Sequence, residues 1–198
     1  MEKNNTNFKK MAIELNLSEK YLRLILANDQ NIELYELKEI YESLEKHNRK
    51  VILDNWNTIA LKKAKRIDSI YQAKNVYHNT LTSSKAHKIA SKKWQKYSRL
   101  EIKKAKNFNE IFQAYGSSPP GSKEKMDALL KWIRISKTCA EIKLIFNETQ
   151  ENNNKKTIVL KKWYNLAKSK DEILDLYNHA IGTKFEIAIL KKLKSNFK

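Results

Sequence analysis

The side chains best suited to catalysis or metal binding are few in this 198-residue chain, and their spacing gives them little chemistry to do. His47, His78, His87 and His179 form no His-Glu-x-x-His or i, i+4 pair and have no cysteine neighbour, so they lack metal-ligand spacing. Cys139 is the only cysteine. It can form no intrachain disulfide, and with no histidine nearby it reads as a small packing residue, although Lys137 would favour its thiolate. Asp171, Glu172 and Asp175 cluster at an expected helix start, where acidic groups meet the positive end of the dipole rather than form an acid/base pair. The stretch from Ser117 to Ser122, with Pro119, Pro120 and Gly121, is a turn without the Gly-Lys-Ser/Thr ending of a phosphate loop. The expectation is a chain that is not an enzyme, with no catalytic, cofactor or metal site and no small-molecule substrate.

Charge carries more information. Forty Lys+Arg stand against 22 Asp+Glu, a net charge of +18. Residues 1–50 hold nine of each sign, whereas residues 51–198 hold 31 basic and 13 acidic side chains. Such an excess suits an acidic partner, whether nucleic acid, membrane surface or acidic protein; the plain alternative is a Lys/Asn/Ile-rich coding bias. Within the excess one pattern is specific. Lys85, Lys88, Lys92, Lys96, Arg99, Lys103 and Lys106 recur at spacings of three and four, which on a helix confines them to an arc of about 80°. Ile89, Ala90, Trp94, Tyr97 and Leu100 fall on the other side. A helix over about residues 84–106, roughly 34 Å long, would carry a basic rail and a core face. The rail is the candidate partner-binding or nucleic-acid-binding site; the alternative is a solvated face.

The elements that must hold this rail form a repeat. Trp56, Trp94, Trp132 and Trp163 mark its units. Nine residues after Trp132 and Trp163 come Glu141-Ile142 and Glu172-Ile173, followed at a fixed step by Phe146 and Tyr177, which sets a unit of 31 residues. Lys62-Lys63-Ala64-Lys65 with Tyr71 matches Lys103-Lys104-Ala105-Lys106 with Phe112. Each unit reads as two helices, the first opened by an N-cap (Ser84, Ser122, Asn154, Thr183) and the second by a glutamate. Trp56, Trp94, Trp132, Trp163, Tyr71, Phe112, Phe146 and Tyr177 are the expected repeat core. Between Trp94 and Glu110 lie seven extra residues, so one first helix is expected to outgrow its repeat. The units resemble the Trp-containing helical hairpins of uncharacterised bacterial proteins, a resemblance that brings no function with it.

Residues 8–47 carry no basic excess and resemble the helix-turn-helix of the Cro/repressor class. Ala12 fits the small residue of its first helix, Asn16 the left-handed turn, and Leu22 and Ile25 the lock on the second helix. The resemblance implies that Ser18, Glu19, Lys20 and Arg23 could read a major groove. Glu36-Leu37 and Tyr41 also fit the repeat spacing, so the segment reads equally as a capping unit.

The chain is therefore expected to be all-α, built of tandem helical hairpins in a short right-handed α-solenoid or compact array. It would comprise a small N-terminal segment (1–47) and a basic repeat domain (48–198). No apolar run approaches the roughly 18 residues of a membrane span, and the N-terminus lacks a secretory signal, which suggests the cytoplasm, with export as a bacterial effector a weaker reading. The expected function is docking of an acidic protein; the alternative is DNA or RNA binding.

Overall fold

The computed structural model describes residues 10–44, 49–149 and 153–196, and over these the chain is all-α, helices alternating with short turns and no strand. Its elements are α1 (described over 10–14), α2 (Glu19–Leu26), α3 (Leu34–Ser43), α4 (Arg49–Arg66), α5 (Ile70–His78) and α6 (Lys85–Lys104), then α7 (Phe108–Ser117), α8 (Lys123–Ile135), α9 (Cys139–Glu148), α10 (Asn153–Leu166), α11 (Lys170–Ala180) and α12 (Glu186–Asn196). The chain divides into two compact units, one of residues 1–100 with 117–119, the other of 101–116 with 120–198. The expected boundary at 47/48 falls beside residues outside the described set; the division that the fold makes lies within α6.

One local motif opens each second helix. At α9 the Thr138 hydroxyl accepts from the Glu141 amide (3.2 Å), while the Glu141 carboxylate accepts from the amides of Lys137 (2.6 Å) and Thr138 (3.1 Å). Ser169 and Glu172 repeat this at α11, and Asn107 and Glu110 do so at α7. At α5, Ser69 accepts from the Gln72 amide and Gln72 accepts from that of Asp68. These boxes satisfy amides that a helix start otherwise leaves unpaired, about 1 kcal/mol for each cap.

The boxes also correct the period. Asn107, Thr138 and Ser169 are 31 residues apart, but Ser69 precedes Asn107 by 38, as Trp56 precedes Trp94 and Trp94 precedes Trp132. α4 has 18 residues and α6 has 20, against 13 for α8 and 14 for α10. So α6 is not singular in its length, as the sequence led one to expect: α4 and α6 are long, and α8 and α10 are short. Two further expectations change. Asn154 lies inside α10 rather than before it. Thr183 sits in the turn ahead of α12, where its hydroxyl donates to Ala180 O and accepts from the Phe185 amide.

The first unit has its own core. Leu22, Ile25, Leu34, Leu37, Ile52 and Ile59 are fully buried around Trp56. α2 and α3 both pack on α4, and Tyr41 of α3 stacks against Trp56 with ring centroids 5.1 Å apart. Between α1 and α2 the chain turns through Asn16 at φ 51°, with the Leu17 amide on Ala12 O (2.8 Å). Asparagine tolerates this left-handed conformation better than most residues. In the second unit neighbouring helices pair in sequence, α8 with α9, α9 with α10, α10 with α11 and α11 with α12. Trp132 there meets Phe108, Phe112 and Tyr115, and Trp163 meets Phe146 and His179.

Candidate interaction surface

The rail helix is built from its buried side outward. Ser84 caps α6, its hydroxyl accepting from the His87 amide at 3.1 Å. Ala86, Ala90, Trp94 and Ser98 are buried along one stripe. Trp94 is fixed at both ends: its indole N–H donates to Ser117 O (2.7 Å), and its ring meets Tyr77 edge-on at 5.1 Å. Trp56 donates likewise to Asn79 O at 3.2 Å. Tyr97 Oη donates to Ile67 O (3.3 Å). These contacts fix the rotation of α6 about its axis, and rotation decides which side chains face water.

All seven rail residues, Lys85, Lys88, Lys92, Lys96, Arg99, Lys103 and Lys106, are exposed. Six lie on α6; Lys106 stands beyond its last residue, in the turn to α7, so the helix is shorter than expected at that end. Lys85 to Arg99 belong to the first unit, and Lys103 and Lys106 to the second. The first turn of α6 carries no acidic residue, so Lys85 and Lys88 stand against the positive end of the dipole. Residues 51–100 hold eleven Lys+Arg and only two Asp or Glu. Leu100, expected on the core side, is 43% exposed and flanks the rail instead.

Other lysines are structural, which the sequence reading missed. Lys93 Nζ donates to Lys65 O (2.8 Å) and Ile67 O (2.9 Å) at the end of α4. Lys131 Nζ donates to Ile102 O (2.6 Å) at the end of α6, and Lys192 Nζ to Ala167 O (2.7 Å) beyond α10. Each ammonium meets the negative end of a helix and its unpaired carbonyls. The available signal was a lysine immediately before Trp94 and Trp132. Part of the basic excess thus holds the fold together.

The expected repeat core needs correction at two positions. Trp56, Trp94, Trp132, Trp163 and Phe146 are buried, with Tyr177 half-buried. Tyr71 is 75% exposed and belongs to no core. Phe112 touches Trp132 yet is 39% exposed, at the margin. The rings that serve Trp94 and Trp132 in these helices are Tyr77 and Tyr115.

At the N-terminal candidates, Ser18 is exposed but its hydroxyl already accepts from the Tyr21 amide (3.2 Å) as the cap of α2. Lys20 and Arg23 are exposed and Glu19 is half-buried. Tyr21 Oη donates to the Glu36 carboxylate at 2.6 Å; burial and then that bond push its hydroxyl above the usual tyrosine range.

Several of the remaining titratable candidates have structural partners. His87 Nδ1 lies 3.1 Å from Tyr77 O, and His179 Nδ1 lies 2.8 Å from Asp175 O. Asp175 pairs with Lys143 at 2.8 Å, and Glu172 is held by its capping box. Burial pushes the Cys139 thiol up to about 11, with the Glu172 carboxylate adding to it. His47 lies outside the described residues. Among the described residues no three His, Cys, Asp or Glu side chains come together as a metal site, and no helix is long and apolar enough to cross a membrane. Set against family models, curated proteins and solved structures, the chain finds a match in none of the three.

Proposed function

We propose that this chain is a non-catalytic helical-repeat binding module that uses the basic face of α6 to engage an acidic protein partner. The observation that carries the reading is the part of the rail within the first unit, where Lys85, Lys88, Lys92, Lys96 and Arg99 stand exposed at helical spacing on one face of α6. Like charges three and four residues apart destabilise a helix by about 0.2–0.5 kcal/mol per pair. An acidic partner removes that repulsion on binding. In this reading the recurring capping boxes and Trp–aromatic pairs are tandem hairpins with steps of 38 and 31 residues, a scaffold of the α-solenoid kind.

A second reading, nucleic-acid binding, is favoured by the left-handed turn at Asn16 between α1 and α2, the geometry that a helix-turn-helix uses. Against it, Glu19 opens α2 beside Lys20, and residues 1–50 carry no net charge, whereas phosphate neutralisation dominates DNA affinity.

Both readings meet in one experiment. Binding of the intact protein to poly-glutamate, duplex DNA, single-stranded DNA and RNA is measured between about 50 and 300 mM salt. Wild type is compared with Lys88→Glu/Lys92→Glu/Lys96→Glu. The proposal expects salt-sensitive binding to poly-glutamate that the variant loses. Preference for nucleic acid transfers the case to the second reading. Equal binding by variant and wild type overturns the role of α6.

A further inference from the structure

The structural lysines have one exception. Lys93, Lys131 and Lys192 all close the carbonyl end of an earlier helix. Lys162 occupies the same position, immediately before Trp163, yet among the described residues it makes no such bond. Counting from the capping boxes, Ile67, Ala105 and Ala167 stand where α8 is followed by Ser136. The buried Ser136 hydroxyl donates to Trp132 O at 2.8 Å, a carbonyl that also accepts from the Ser136 amide. The Lys162 ammonium takes no carbonyl of this helix end.

It borders an open groove of about 770 Å³ in the second unit, within the size range of sites that take small ligands or short segments. Lys106, Arg134 and Lys137 share that border with it, and Phe108 and Leu166 supply an apolar lining. The single carboxylate there, Glu141, is occupied by the backbone amides of Lys137 and Thr138. Four cations thus surround an apolar strip with one committed anion.

We infer that this groove binds an acidic peptide segment carrying an apolar side chain between its carboxylates. The inference rests on the acidic-partner reading above and narrows what that partner presents. Arg134 offers a fork that can hold a carboxylate through two bonds. The three lysines supply point charges around it, and Phe108 and Leu166 receive the apolar group. A free inorganic anion would leave the apolar lining wet. A nucleic-acid base would need a stacking platform, but the Phe108 ring is already packed on Trp132 at 5.4 Å.

The test uses the full chain and two fluorescent peptides, one with leucine flanked by aspartate and glutamate, the other with serine replacing the leucine. Anisotropy titrations compare wild type with Arg134→Glu, Lys137→Glu and Lys162→Gln, and with the triple α6 variant. Arg134 and Lys137 are exposed, so their variants are expected to keep the wild-type melting profile. Each glutamate substitution should weaken the leucine peptide about tenfold or more, and Lys162→Gln about threefold. The serine peptide should bind several-fold more weakly than the leucine one, and the α6 variant should bind the leucine peptide like wild type. Wild-type affinity in the groove variants, or equal affinity for the two peptides, overturns the groove. Loss of peptide binding in the α6 variant alone also overturns it, while leaving the α6 reading intact.

Discussion

Replacing Lys88, Lys92 and Lys96 together by glutamine should stabilise the free protein. Lysine and glutamine have nearly equal helix propensity, so the backbone contribution changes little. The substitution removes five like-charge neighbours on α6, namely Lys85–Lys88, Lys88–Lys92, Lys92–Lys96, Lys93–Lys96 and Lys96–Arg99. Lys93 is turned toward α4 by its carbonyl bonds and counts least, so at about 0.2–0.5 kcal/mol each the gain is about 1–2 kcal/mol at low ionic strength. For a chain of this length that raises the midpoint of thermal unfolding by roughly 2–8 °C. The charges are exposed, so salt should erase the difference: the screening length falls from about 30 Å at 10 mM to about 3 Å at 1 M. Circular dichroism melts of both proteins at these two salt levels supply the assay. A variant less stable than wild type at low salt would refute the reasoning, because the lysine stems would then be packing on the fold rather than repelling one another. A gain of equal size at both salts would refute it too, since its origin would not be charge.

Other contacts give separate expectations. Trp94→Phe removes an indole donor bonded to Ser117 O, whereas Trp132→Phe removes one that is buried without a partner; denaturant titration should show the first costing about 1 kcal/mol more than the second. The amides of Lys168 and Ser169 hold the Glu172 carboxyl down to about 2, below its unfolded value of about 4.3. Its contribution is therefore full above about pH 4.3 and lost as pH falls through about 2. Glu172→Gln should accordingly melt earlier than wild type at neutral pH, and the two curves should converge at the acid end. With its thiol raised to about 11, native Cys139 should react with a disulfide reagent at pH 8 on the order of a hundredfold more slowly than the unfolded chain. Equal rates would contradict the burial of its thiol.

The helical class was readable because helix formers dominate and Gly and Pro together number five. Ser84, Ser122 and the glutamates of the capping boxes were readable because caps are local: the donor and acceptor lie within three or four residues. The long period was less accessible. Matching Lys62–Lys65 to Lys103–Lys106 sets a step of 41, whereas the fold uses 38. A slip of three residues is nearly one helical turn, so polar and apolar faces still agree roughly. That slip placed Tyr71 in the core where Tyr77 belongs. The lysine caps were hidden for another reason. Lys93 bonds carbonyls 26 and 28 residues earlier in the chain, and no local pattern announces an acceptor that far away. The groove beside Lys162 was hidden likewise, because it joins Lys106 and Phe108 to Arg134, Lys137 and Leu166, residues far apart in the chain.

In the proposed function the exposed cations of α6 contact an acidic partner, while the capping lysines do not. Amine-reactive footprinting with mass spectrometry, with and without saturating poly-glutamate, tests it residue by residue. Lys88, Lys92 and Lys96 should lose most of their reactivity on binding, whereas Lys20 should keep its own and Lys93 should be slow in both states. Protection spread evenly over all exposed lysines, or confined to residues outside α6, would contradict the claim.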